Sequence, residues 1–184
     1  ISKLKKNSGN LHLMGLLSDG GVHSHINHII SLAKIFAENG INVYMHSFLD
    51  GRDTPQKSAL TYIKQFIEET KDFKNIKIAT IAGRYYAMDR DKRWDRIEKA
   101  YDVLTQGDAI NSTDDFVKYI ENSYKEEKTD EFIEPVAIKG FNGINNGDGF
   151  LFANYRADRA REITMALGNK DFNDFSRKKI VKFE

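Results

Sequence analysis

With 184 residues, 40% of them hydrophobic and 11% aromatic, the chain has enough core-forming side chains for the interior of one domain. Its 28 Lys and Arg against 27 Asp and Glu leave a formal charge of +1, so no global field draws a polyanion and a nucleic-acid partner gets no support. The lack of cysteine excludes thiol catalysis, thiolate metal sites and disulfides and fits a cytoplasmic protein, and no apolar run approaches the roughly 20 residues that span a bilayer.

Residues 1–10 (ISKLKKNSGN) carry neither an initiator Met nor a signal-type apolar stretch, so the chain reads as cut from something longer. Residues 11–18 (LHLMGLLS) read as a strand that breaks at Asp19, Gly20 and Gly21. Ser24 is the expected N-cap of a helix carrying Ile26, Ile29, Ile30, Ala33, Phe36 and Ala37 at helical spacing, with Gly40 as its left-handed terminator. Residues 42–49 (NVYMHSFL) form the second strand candidate, followed by Asp50, Gly51, Arg52 and Asp53. Thr54 and Pro55 are expected to cap and start the next helix, whose buried stripe is Ala59, Leu60, Ile63, Phe66 and Ile67.

A third strand at 76–82 (IKIATIA) leads into residues 83–93 (GRYYAMDRDKR) and a helical stripe of Trp94, Ile97, Tyr101 and Leu104 that ends near Gly107. Another helix is predicted over 112–124, with Asp114 and Asp115 in its first turn, then a solvated charge run at 125–131. Residues 132–138 read as a short strand that Pro135 assigns to an edge. The glycine-rich stretch 140–149 reads as a loop and 150–153 as a buried strand. A helix through Ile163 and Leu167 to Gly168 follows, then a linker-like stretch at 169–176, and the terminal IVKFE reads as a strand just beginning. This alternation predicts an α/β fold in a single domain over residues 1–184: a mostly parallel open sheet flanked by helices on both faces, with an irregular insertion before the last strand.

In such sheets ligands bind outside the carboxyl ends of the strands. Four loops qualify, and they hold Arg52, Arg84, Arg90, Arg156 and Arg159, five of the nine arginines in the chain. The guanidinium fork matches carboxylate and phosphate, so the implied ligand is a small, multiply charged anion. At about 100° per residue Arg90 projects onto the inward face of Trp94 and Ile97. The other charges from Asp89 to Lys99 read as a solvated helix face, with Asp89/Arg93 and Asp95/Lys99 as pairs four residues apart. His23 and Asp53 are the candidates for acid and base chemistry. Each has a plainer reading, His23 as a structural loop histidine and Asp50 or Asp53 as a turn or helix-start residue. His23, His25 and His28 lack a spacing or an acidic partner that would mark a metal site, so none is expected, and neither GxGxxG nor GxxxxGK[ST] occurs.

The stretches LLSDGGVHSH, HSFLDGRDTP, GRYYAMDRDKRWDR and NYRADRAREI, in this order, resemble the cofactor-independent phosphoglycerate mutases. The resemblance implies the transferase domain of a two-domain glycolytic enzyme that needs no 2,3-bisphosphoglycerate. The phosphatase domain, with its nucleophilic serine and two divalent ions, usually Mn2+, lies outside this chain. On the same basis His23 contacts the phosphate or hydroxyl of the substrate, and Asp53 takes and returns the protons of the glycerate hydroxyls. Arg52, Arg84 and Arg90 hold the glycerate, while Arg156 and Arg159 steady the migrating phosphoryl group. The implied partners are 2- and 3-phosphoglycerate and the phosphatase domain of the same polypeptide. Neither nucleic acid nor membrane is implied, the enzyme is expected to be a monomer, and this chain alone is expected to be inactive. The alternative is a non-catalytic module that binds a small phosphorylated or carboxylated metabolite and has no need of Asp53.

Overall fold

Residues 1–183 are described by a computed structural model in which the three apolar runs become strands β1 (Asn10–Leu16), β2 (Asn42–Leu49) and β3 (Ile76–Gly83). Two short strands, β4 (Ser112–Thr113) and β5 (Val136–Ile138), and a late one, β6 (Gly149–Phe152), complete a sheet of order β4-β5-β3-β2-β1-β6. Every neighbouring pair is parallel except β3 with β5. Helices α1 (Ser2–Lys6), α2 (Ile26–Glu38), α3 (Ala59–Thr70), α4 (Arg84–Ala87), α5 (Trp94–Gln106), α6 (Phe116–Lys125) and α7 (Arg161–Gly168) surround it.

Side chains on a strand point alternately to its two faces, so β1 sends Leu13 into one core and Met14 into another. The first core packs Leu13, Met45 and Ile81 against Ile29, Ile63, Phe66 and Ile120 of α2, α3 and α6. The second packs Met14, Phe48 and Ala82 against Ile97, Tyr101, Ile163 and Leu167 of α5 and α7. Coverage of both faces is why the strands are mostly apolar on both sides and show no regular alternation with polar residues. The chain steps outward from β1 to β3 and then crosses to β6 on the other side of β1. The strand order therefore reverses at β1, which is where open α/β sheets leave a crevice for ligands.

Several boundaries differ from the sequence expectation. The N-cap of α2 is His25, whose Nδ1 accepts from Asn27 N, because the Ser24 hydroxyl donates instead to Leu16 O. Helix α3 starts at Ala59, beyond Thr54 and Pro55, and its cap comes from far along the chain: Asp130 Oδ2 accepts from Ser58 N and Ala59 N, both at 2.8 Å. Residues 89–93 are a loop, since Asp89 captures the N–H groups of Asp91 and Arg93 and Lys92 adopts φ 59°. That takes Arg90 off the helix. Asp115 caps α6 while Ser112 and Thr113 pair with β5, and this leaves β5 second from the edge with Pro135 just before it. Strand β6 is the other edge and is only half-buried. Asp130 is buried, so the charge run at 125–131 is not solvated throughout. The stretch expected to be a linker is packed: Phe172 and Phe175 meet Trp94, and Arg177 donates to Ala166 O and Asn169 O. Residues 180–183 form no strand, and Glu184 lies outside the described residues. Gly40 does end α2 in the left-handed region, at φ 76°.

The insertion between α5 and β6 reaches back under the loops that follow β2 and β3. Gly83 N donates to Ile133 O at 2.7 Å, and a Cβ on Gly83 would stand 2.2 Å from Glu131 O. Only glycine permits that approach, and the approach is what delivers Asp130 to the start of α3.

Inside the sheet a polar chain runs from Thr80 through His46 and His12 to Asp148, at 2.8, 2.8 and 3.1 Å. Asp148 can only accept, so His12 donates from Nε2 and takes the Nε2 proton of His46 at its own Nδ1; His46 Nδ1 then accepts from the Thr80 hydroxyl. Burial holds His46 well below its ordinary pKa, with the neighbouring His12 adding to this, and burial likewise lowers His12. Burial pushes Asp148 upward, but hydrogen bonds from His12 and Asn145 N outweigh it and draw the carboxyl down to about 2.

These shifts give stability a defined dependence on pH. All three folded pKa values lie below their unfolded ones, so each contribution is complete above the unfolded pKa and is lost as the pH falls. The urea midpoint should be level above pH 7, decline below about 6.5 as the histidines of the unfolded chain take up protons, and fall again between about pH 4 and pH 2. A midpoint unchanged from pH 7 to pH 5 contradicts the buried neutral histidines. Separately, Asp130→Ala strips α3 of its cap and Tyr124 of its acceptor, and should cost about 2–3 kcal/mol in urea unfolding.

Candidate functional site

Asp50 ends the loop-ward reach of β2 and is 2% exposed. Its Oδ1 accepts from Asp53 N at 2.9 Å, Arg52 N at 3.2 Å and Arg84 Nη1 at 2.7 Å, and its Oδ2 accepts from Ser18 Oγ at 2.6 Å. One carboxylate thus closes the DGRD turn and ties together the loops that follow β1, β2 and β3. Burial pushes its pKa up, but the Ser18 hydroxyl, the Asp53 N–H and Arg84 outweigh that and keep it ionised. The turn-forming role weighed for Asp50 is the one it fills.

Arg84, the first residue of α4, is 3% exposed, and its Nη1 also lies 2.7 Å from Asp53 Oδ2. Burial opposes its charge, and the Asp53 and Asp50 carboxylates more than offset that. Asp53 is therefore turned inward, with Oδ2 3.9 Å from His23 Nε2. On the other side of the imidazole, His23 Nδ1 stands 3.7 Å from Asp158 Oδ1. Asp158 Oδ2 in turn accepts from Arg90 Nη1 at 2.8 Å and Arg156 Nη2 at 3.0 Å. The loops thus bring together a row in which acidic and basic side chains alternate: Asp50, Arg84, Asp53, His23, Asp158, and then Arg90 with Arg156. His23 is buried, and its carbonyl accepts from Tyr155 N and Arg156 N, which fastens the loop after β6 to the loop after β1. Burial lowers the His23 pKa first and Arg84 second, outweighing the two aspartates, so the imidazole is neutral near pH 7.

Beside this row opens a cleft of about 470 Å³ lined by Arg52, Arg84, Arg90, Arg93, Arg96 and Arg159. Arg159 donates to Met88 O at 3.1 Å; burial lowers its pKa, and the like charges of Arg90, Arg84 and Arg52 lower it further. The local excess of positive charge favours an anion with several oxygens. Arg93 and Arg96 are balanced by Asp89, at 3.1 and 3.5 Å, and Arg96 also stacks on Tyr85. Another cavity, of about 230 Å³, lies against His12, Tyr44 and Phe141 at the opposite ends of the strands. Both ring nitrogens of its histidine are already paired within the protein.

All seven residues singled out in the sequence lie on this one edge of the sheet, though not always as expected. Arg90 is exposed on a loop and does not project from the inward stripe of α5. It reaches the site through Asp158. Asp89 is buried, so the run from Asp89 to Lys99 is not a uniformly solvated face. Arg84 is a buried strut between two aspartates, and Arg156 stands outside the cleft. Asp53 caps no helix, since Asp130 does that. The sequence reading passed over Asp158, whose place between Arg156 and Arg159 was the available signal, as well as Ser18, whose hydroxyl fixes Asp50. His25 caps α2 and His28 is exposed. Among the described residues no three His, Asp or Glu side chains are grouped to hold a metal ion, and no helix is long and apolar enough to cross a membrane.

The profile of the family described as BPG-independent PGAM N-terminus matches residues 1–184. The chain is 55% identical, over 91% of its length, to the 2,3-bisphosphoglycerate-independent phosphoglycerate mutase of Aliarcobacter butzleri and covers 34% of that protein. It is 50% identical, over 99% of its length, to the corresponding mutase 1 of Methanosarcina barkeri, covering 36% of it. A crystal structure of Leishmania mexicana phosphoglycerate mutase at low cobalt concentration superposes with a TM-score of 0.85 at 31% identity, over 95% of this chain and 34% of that one. The chain thus spans about a third of the length of these relatives.

The geometry separates structural from exposed charges. Asp50→Asn leaves Arg84 buried with one carboxylate and should cost about 3 kcal/mol in denaturant unfolding. Arg52→Gln, which loses only an exposed pair with Glu131 at 3.5 Å, should change stability by less than about 0.5 kcal/mol.

Proposed function

Because this chain belongs to the BPG-independent PGAM N-terminus family, we propose that it is the substrate-holding, transferase part of a 2,3-bisphosphoglycerate-independent phosphoglycerate mutase. On this reading the complete enzyme interconverts 3-phosphoglycerate and 2-phosphoglycerate within cytoplasmic glycolysis and works as a monomer. The phosphoryl group passes through a serine carried by the rest of the polypeptide, together with two divalent ions, Mn2+ by expectation. The described residues offer no such donor set, so no step is assigned to a metal here.

The observation that carries the reading is Asp53, held by Arg84 at 2.7 Å and facing His23 at 3.9 Å beside a cleft rich in arginine. Moving a phosphoryl group between neighbouring hydroxyls requires one proton to leave the accepting oxygen and another to return to the oxygen set free. A single carboxylate between the two positions performs both transfers. The bond from Arg84 occupies Asp53 Oδ2 and holds that oxygen on the side of His23. Arg52, Arg84 and Arg90 orient the glycerate, because a guanidinium fork fixes a carboxylate in both position and rotation. His23 Nε2 meets a phosphate or hydroxyl oxygen, while Arg156 and Arg159 balance charge on the migrating group, as fixed cations do in phosphoryl transfer.

In the full-length enzyme Asp53→Asn should lower kcat by about 10² to 10⁴ with little change in phosphoglycerate affinity. The amide keeps the shape and the Arg84 contact but takes no proton. A binding module without catalysis predicts the opposite balance, with affinity altered and rate spared. Steady-state kinetics paired with calorimetry decides between them.

A further inference from the structure

Two buried polar atoms of the site have no hydrogen-bond partner, His23 Nδ1 and Asp158 Oδ1, and they face each other across 3.7 Å. Buried groups left unpaired are costly and rare, so a facing pair of them calls for an explanation. Its cause is visible in the other oxygen. Asp158 is drawn away from His23 by Arg90 and Arg156, which both bond Oδ2, while Arg156 Nε lies 3.0 Å from Oδ1 without the alignment of a hydrogen bond. Both arginine side chains are about half exposed, 43% and 47%, and can turn toward a solute. Asp158 therefore engages, in the folded chain, the same guanidinium donors that an incoming carboxylate or phosphate would use.

We propose that Asp158 is a positioning residue that stands in for the anion of the substrate, holding Arg90 and Arg156 until the substrate takes them and then turning onto His23 Nδ1. The inference rests on the phosphoglycerate reading given above. The gap need close only from 3.7 Å to about 2.8 Å, within reach of a side-chain rotation. The bond fixes the imidazole with Nδ1–H toward Asp158 and Nε2 toward Asp53 and the substrate, since the partner of one ring nitrogen sets the state of the other.

The charge balance around His23 changes with the same movement. The groups facing the ring are Arg84 from α4, Asp53 from the loop after β2, and Arg156 and Asp158 from the loop after β6. While the arginines neutralise Asp158, burial and Arg84 keep the imidazole uncharged. Once they are drawn to the substrate, the freed carboxylate favours the imidazolium, and Nε2 carries a proton to present to a substrate oxygen. His23 is thus charged when the anion is bound.

The test uses the full-length enzyme labelled with ¹⁵N-histidine, the His23 signals being assigned by their loss in His23→Gln. Wild type and Asp158→Asn are titrated with pH, with and without a saturating equilibrium mixture of 2- and 3-phosphoglycerate. The wild-type His23 pKa should rise on saturation by about one unit or more, and Asp158→Asn should show less than half that rise. The variant should lose about 10- to 100-fold in kcat, while its calorimetric Kd stays unchanged or tightens because no carboxylate competes for the arginines. A merely structural residue predicts that Kd and kcat worsen together, and that result overturns the proposal, as does a variant whose His23 titrates like wild type. An absent rise in the wild-type pKa overturns it without recourse to any variant. A wild type that turns over phosphoglycerate beside a fully active Asp158→Asn defeats this inference alone, whereas a wild type without turnover defeats the functional reading as well.

Discussion

The buried pair of Asp50 and Arg84 is the contact on which the site depends. Two charges in a protein interior are expensive to desolvate, and their attraction repays this only when the remaining donors and acceptors are also satisfied. Asp50 meets that condition with four donors drawn from three loops, and Arg84 by bonding two carboxylates. Such a pair adds little to net stability compared with an apolar replacement. What it provides is geometry, since Asp53 is aimed by Arg84, and Arg84 is aimed by Asp50. On the proposed reading Asp53 carries the proton, and an error of about 1 Å in such a group is enough to cost a large factor in rate.

The insertion after α5 is part of the same construction. By passing close over Gly83 it supports the loop that presents Arg84, and through Asp130 it sets where α3 begins. A helix capped by its own first residues would start at Thr54 and Pro55 and tie Asp53 to the position just before its cap. Capping from a distance leaves residues 53–58 as loop, so Asp53 is free to face His23. The chemistry after β2 is thus set by a segment more than seventy residues later in the chain.

The sequence made the parallel sheet legible because periodicity and β-branched composition are local properties. The strands at 42–49 and 76–82 match to within a residue, and the helices at 26 and 94 are marked by their apolar stripes. The arginines at the loop edge were legible for a related reason: topology places carboxyl-end loops together whatever their details. What escaped depended on which of several available partners each polar group takes. Ser24 has the makings of a cap, yet its hydroxyl goes to Leu16 O. Arg90 lies four residues before Trp94, but the N–H groups that would extend the helix are taken by Asp89. Asp158, flanked by basic residues, reads as simple neutralisation until His23 Nδ1 is found unpaired beside it.

The charge that draws a ligand here is local. The whole chain carries +1, while at the loop edge Arg52, Arg84, Arg90, Arg156 and Arg159 face Asp50, Asp53, Asp158 and Glu131, leaving a local excess of one positive charge with His23 neutral. On the proposed reading the ligand is a phosphorylated carboxylic acid, which brings one carboxylate charge and about 1.5 to 2 more from the phosphate, more than that excess. Protonation of the His23 imidazole narrows the difference. The neutral state of His23 in the free protein and its position between two aspartates therefore belong to one electrostatic arrangement. The edge is left short of positive charge for such a ligand, and the group that can supply more sits at the centre of the row.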